Sequence, residues 1–163
     1  MNPRAFTFRS DSRMRCLITQ CHVSIAFDSD FSAEAHPAFF TFDGLWDTGA
    51  SASVITKKVA DTLGLSPIRQ VRVRDARGET DTNLYYVNIL LPNGIEIKNV
   101  GVSEGVLDGF DLLIGMDVIN LGDFVLTHRD GKTVFSFQIP STHEYDFVRQ
   151  IQQGVGQPKK KKK

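Results

Sequence analysis

Leu17, Thr19, Cys21, Val23, Ile25 and Phe27 occupy every second position of one unbroken stretch. Successive side chains of an extended chain point to opposite faces, so this period describes a strand with one face buried. The alternation returns between Ile68 and Leu91, where Tyr85, Val87, Ile89 and Leu91 share a face, and Ile95, Ile97, Val100 and Val102 continue as strand. Turn-forming clusters separate these runs: the acidic segment 28–37, Asp75-Ala76-Arg77-Gly78-Glu79 at the tip of a long hairpin, and Pro92-Asn93-Gly94. Asp130-Gly131 marks a two-residue hairpin between Phe124–Thr127 and Thr133–Ile139, and Asp43-Gly44 reads as another tight turn. Helical spacing is clear once, at Ile55, Val59 and Leu63, where Ser51 or Ser53 can cap a helix of about three turns and Gly64 can end it. Residues 116–121 have room for one or two further turns. Many short strands with one or two short helices predict a mostly β fold, a closed barrel or a sandwich.

The chain has 163 residues, 41% of them hydrophobic and 23% charged, which suits one globular domain with tails. The formal net charge of zero hides an uneven distribution. Residues 1–15 carry Arg4, Arg9, Arg13 and Arg15 against Asp11, and residues 141–163 carry Arg149 and five terminal lysines against Glu144 and Asp146, so the part between is acidic. The expected organisation is a flexible basic arm over 1–15, the folded domain over 16–140 and a polar tail over 141–163 ending in a lysine run. No apolar run approaches the roughly 20 residues that cross a bilayer. The arginines break up any signal-like apolar core, and two cysteines are too few for a disulfide scaffold, so a cytoplasmic protein is expected.

An apolar run delivers one acid into a glycine turn at Phe42-Asp43-Gly44-Leu45-Trp46-Asp47-Thr48-Gly49-Ala50-Ser51. Other chemistries lack their residues. Gly49-Ala50-Ser51-Ala52-Ser53 has no final glycine for a nucleophile elbow, and no G-x-x-x-x-G-K-[ST] cradle for phosphate occurs. His22, His36, His128 and His143 are dispersed, and the Cys16–Cys21 spacing has no second pair of ligands, so no metal and no cofactor is expected. The lysine run could touch nucleic acid or an anionic membrane, but the acidic body lacks an interleaved aromatic and basic surface, so nucleic acid is not expected as a partner.

Asp47-Thr48-Gly49-Ala50-Ser51, followed some sixty residues later by Leu113-Ile114-Gly115, resembles the signature of retropepsin-like aspartic proteases. The resemblance covers roughly residues 38–139 and includes the order of strand, catalytic turn, helix, hairpin flap, apolar-apolar-Gly strand, short helix and closing hairpin. It implies a closed β-barrel of the acid-protease type and an endopeptidase that hydrolyses peptide bonds by activated-water attack. Such hydrolysis needs one group to take a proton from water and another to give one to the breaking amide. Two carboxylates about 3 Å apart can do both, because they share one proton. The chain holds one such turn, so the resemblance implies a homodimer in which a second copy supplies the second acid. Asp47 is then catalytic, Thr48 braces the two turns across the dimer, Gly49 permits close backbone approach, and Ala50 and Ser51 leave room for substrate backbone. Leu113, Ile114 and Gly115 support the loop from beneath. Ala76, Arg77 and Gly78 form the tip of a flap over an extended peptide substrate, and a mildly acidic pH optimum is expected. Three features depart from the family's pattern: Trp46 replaces an aliphatic residue, the flap has one glycine, and Met116-Asp117 stands where many viral members have arginine. Asp117 lacks a following Ser/Thr-Gly turn and reads as a surface acid. The alternative function is a non-catalytic dimerisation or peptide-binding module of the same fold.

Overall fold

A computed structural model describes residues 2–27, 37–75 and 78–154. The expected flap-tip residues Ala76 and Arg77, nearly all of the acidic segment and the lysine run lie outside the described residues. The strands are β1 (Arg4–Ser10), β2 (Ile18–Ile25), β3 (Phe40–Trp46), β4 (Val54–Ile55), β5 (Arg69–Asp75), β6 (Gly78–Leu91), β7 (Ile95–Glu104), β8 (Leu112–Ile114), β9 (Asp123–Thr127) and β10 (Thr133–Ile139). The helices α1 (Lys57–Leu63), α2 (Met116–Ile119) and α3 (Phe147–Gln152) are all short. One more helix is present than expected.

Six strands close on themselves in the order β2-β3-β8-β4-β7-β6, and β6 pairs back with β2 from His22↔Leu90 to Ile25↔Val87. Closure leaves no open edge within this ring. β5 adds to the outside of β6 and completes the long hairpin read from the sequence. β3 and β8 run parallel, as do β4 and β7; the remaining neighbours are antiparallel. The barrel core is built from the alternate positions that the sequence marks: Cys21 and Val23, then Val87, Ile89 and Leu91, with Ile55, Leu112 and Ile114 from the strands around the site. Burial pushes the Cys21 thiol up to about 11.

A second sheet has the order β1-β10-β9. Here the expectation of a loose basic arm is corrected, because Arg4–Ser10 is strand β1, paired with β10 from Arg4↔Ile139 to Ser10↔Thr133. Phe6 and Phe8 point inward while Ala5, Thr7 and Arg9 face out, and the arginine spacing had hidden this short alternation. Phe6 joins Trp46, Phe124, Phe135 and Phe137 in an aromatic cluster, with the Trp46 ring centroid 5.0 Å from both Phe135 and Phe137. Tilted and edge-on packing of this kind adds to simple burial. Trp46 Nε1 donates to Thr19 Oγ1 at 2.8 Å, which satisfies its one polar atom.

Two turn assignments also change. β3 runs straight through Asp43-Gly44, and Gly44 is there because a Cβ would meet Cys21 Sγ at 2.9 Å and Ile114 Cδ1 at 3.2 Å. Between β9 and β10 the loop is wider than two residues, although Asp130 and Gly131 do take positive φ, 54° and 76°. Ile55 belongs to β4 rather than to the helix, so α1 starts after Thr56 and is nearer two turns than three, with Gly64 ending it at φ 63° as expected. The expected polar tail contains α3, started by Asp146, whose side chain accepts from the Arg149 amide at 2.9 Å.

Candidate active site

β3 carries the apolar run into Asp47, and the chain then turns through Thr48-Gly49-Ala50 before returning as β4. The Asp47 amide donates to Ile114 O at 3.0 Å, and the Ala50 amide closes the turn on Asp47 O at 3.3 Å. Asp47 Oδ1 accepts from the Gly49 amide at 2.8 Å. A Cβ on Gly49 would lie 3.1 Å from that oxygen, so glycine gives the carboxylate its clearance. Asp47 is half-buried, Thr48, Gly49 and Ser51 are exposed, and Ala50 is half-buried. Among the described residues the carboxylate has no ion-pair partner.

Leu113, Ile114 and Gly115 do lie against this loop. β8 sits between β3 and β4, with Leu45↔Leu113 and Trp46↔Ile114 on one side and Val54↔Leu113 on the other. Gly115 is where two backbones touch: a Cβ there would lie 2.6 Å from Ala52 C and 2.7 Å from Ala52 O. The next amide, Met116 N, donates to Ala50 O at 2.8 Å. Asp47, Thr48, Gly49, Ala50, Ile114 and Gly115 are therefore one assembly. Gly78 is apart from it, closing the β5–β6 hairpin opposite Asp75 at φ 130°, with no hydrogen bond to the Asp47 cluster among the described residues.

The sequence reading missed two members of the assembly. Buried Ser53 donates through Oγ to Asp117 Oδ1 at 2.8 Å, and its amide donates to Asp117 Oδ2 at 2.9 Å. Ser53 Oγ in turn accepts from the Gly115 amide at 3.1 Å. Ser53 is thus no helix cap, and Asp117, exposed in the first turn of α2 as expected of a surface acid, also holds Ser53. The available signal was an acid two positions after the apolar-apolar-Gly element, beside a loop rich in serine.

A cavity of about 400 Å³ opens beside Asp47 and Thr48 toward the second sheet, lined also by Cys16, Trp46, Phe124 and Leu126. Among the described residues no group of three His, Cys, Asp or Glu side chains is placed to hold a metal ion, and no helix is long and apolar enough to cross a membrane.

Residues 40–121 match the model of the family described as "gag-polyprotein putative aspartyl protease". Among solved structures the chain is similar to a retropepsin-like aspartic protease from Rickettsia conorii, with 19% identity, a TM-score of 0.52, and coverage of 85% of this chain and 96% of that one. EIAV protease, solved in complex with the inhibitor HBY-793, aligns with 19% identity and a TM-score of 0.46 over 64% of this chain and 86% of its own. A search of curated proteins finds no match. The family match spans half of the chain and contains both the Asp47 turn and Gly115, and the closed six-stranded barrel is retropepsin-like; the chain belongs to the gag-polyprotein aspartyl protease family.

Proposed function

We propose that the protein is an aspartic endopeptidase whose active site forms at a homodimer interface, one Asp47 from each chain. The observation that carries this reading is the state of the Asp47 carboxylate. It stands half-buried at a strand end, held by a single Gly49 amide, with no ion-pair partner among the described residues, while Arg15 and His128 line the same cavity. An acid placed so deliberately and left unpaired is open to a second copy of itself. Two such carboxylates side by side cannot both ionise, so the pair holds one proton. The ionised member takes a proton from a bound water as its oxygen attacks the scissile carbonyl carbon, and the other protonates the carbonyl oxygen. When the C–N bond breaks, a proton passes to the amine that leaves.

Thr48 then braces one turn against its mate, and Ala50 and Ser51 flank an extended peptide. The end of the β5–β6 hairpin, where Gly78 lies, closes over that peptide to exclude water. Main-chain pairing supplies much of the binding, and side-chain pockets set preference. The exposed Cys16 and the buried Cys21 are both free thiols, which suits the cytoplasmic location expected from the sequence.

Peptide-library cleavage by wild type and by Asp47→Asn, at several protein concentrations, tests the reading. The expected results are loss of cleavage in the variant with the dimer intact by ultracentrifugation, and wild-type specific activity that falls on dilution as dimers separate. Undiminished cleavage by Asp47→Asn refutes the assignment. A wild-type dimer that binds peptides and cleaves none makes the protein a peptide-binding module.

A further inference from the structure

We infer that Asp117 is a positioning residue for the Asp47 turn: its carboxylate sets the direction of the Ser53 hydroxyl and so clamps the returning arm of the loop onto Gly115. The inference rests on the reading of Asp47 as half of a catalytic pair.

A serine hydroxyl has one proton to give and lone pairs to accept with, whereas an ionised carboxylate only accepts. Ser53 Oγ lies between an acceptor, Asp117 Oδ1 at 2.8 Å, and a donor, the Gly115 amide at 3.1 Å. Its proton therefore faces Asp117 and its lone pair faces Gly115. The same carboxylate takes the Ser53 amide on Oδ2 at 2.9 Å and the Val118 amide on Oδ1 at 3.0 Å, so both oxygens are engaged. Ser53 is fully buried while Asp117 is exposed, so breaking the pair leaves the serine, not the acid, short of a partner.

Four consecutive residues thus hold the loop. Ile114 O takes the Asp47 amide, Met116 N holds Ala50 O, and Gly115 and Asp117 together hold Ser53. Without Asp117 the outgoing arm stays tied and the returning arm loses its direction. The Asp47 carboxylate sits at the apex between the two arms, where small displacements matter most for the alignment of a reacting pair.

Asp117→Asn keeps the shape and breaks the pattern. Its amide has one acceptor and one NH2, so in either orientation an N–H or NH2 group faces a backbone N–H that had an oxygen. On a peptide that the wild-type dimer cleaves, the expected result is a kcat about 10- to 100-fold lower with KM nearly unchanged. Ser53→Ala lowers kcat similarly, and the double variant is no slower than the slower single variant, because the two residues act as a unit. An unchanged kcat, a change confined to KM, or fully additive losses overturns the inference.

Amide hydrogen exchange at Ser53 and Gly115 gives a readout that needs no substrate. Protection at both sites in wild type and its selective loss in Asp117→Asn is expected, and unchanged protection in the variant overturns the clamp. Selective loss of protection in a chain whose wild type cleaves no peptide supports the clamp and refutes only the catalytic reading of Asp47.

Discussion

Gly115→Ala places one methyl group into the backbone of the loop that carries Asp47. Its Cβ would stand 2.6 Å from Ala52 C, 2.7 Å from Ala52 O and 3.1 Å from Ala50 O. Carbon atoms pack best at about 3.5–4.0 Å, so the closest contact is short by about 1 Å, and the obstacle is main chain that cannot rotate aside. Gly115 itself has φ −90° and ψ −173°, which alanine adopts freely. The effect is therefore steric, and the reduced freedom of the unfolded chain returns about 0.4–1 kcal/mol. Overpacking of this kind costs about 1–3 kcal/mol, leaving a net loss of about 1–2 kcal/mol. If the loop yields by about 1 Å, cleavage falls by about 100-fold, far more than the stability change alone implies. Urea unfolding followed by fluorescence of Trp46, the single tryptophan, measures the first effect, and peptide cleavage measures the second. Gly105→Ala is the comparison, because its Cβ meets the side-chain atom Val54 Cγ1 at 2.6 Å rather than main chain, so Val54 must shift its χ1 and cleavage should fall by less than in Gly115→Ala. A Gly115→Ala protein with the wild-type midpoint and full activity would refute the claim that close backbone contact supports the turn.

Phe6→Ala distinguishes a structural β1 from a loose arm. The buried ring packs on Trp46, Phe135 and Phe137, so its loss should cost about 3–5 kcal/mol by urea unfolding, and an unchanged midpoint refutes the assignment. Asp123 predicts an acid-sensitive attachment of the segment after β10. The Ser141 hydroxyl, the Thr142 amide and His143 hold its carboxyl at about 2, below the ordinary 3.8. A depressed folded-state value means that this stabilisation is complete above about pH 3.8 and fades as the pH falls toward about 2. NMR shifts of the Thr142 and His143 amides should therefore change near pH 2 in wild type and lose that step in Asp123→Asn; a wild-type step near 3.8 would refute the contact.

The strands of the barrel were legible because their signal is local. Cys21, Val23, Val87, Ile89 and Leu91 alternate with less buried neighbours for most of their length, and one buried face is all that period reports. Asp47-Thr48-Gly49 was legible as a turn after a strand, and its pairing with Leu113-Ile114-Gly115 followed from a family resemblance. β1 was not legible, since three of its seven residues are buried or half-buried and the basic charge around them dominates the stretch. Asp43-Gly44 misled for a different reason: the residue types that favour turns also serve where two side chains crowd a strand, and Cys21 and Ile114 do the crowding.

By itself the sequence determined the fold class, the acid at the head of the turn and the order of the elements around it, because each follows from neighbours along the chain. Tertiary structure alone decided that the barrel closes through β2 and β6, that Trp46 packs against aromatic rings from the second sheet, and that Ser53 meets Asp117 across 64 positions. Contacts between distant segments leave no period to read: a hydrogen-bonded serine and a solvated one are the same letter until the backbone brings a partner within 3 Å.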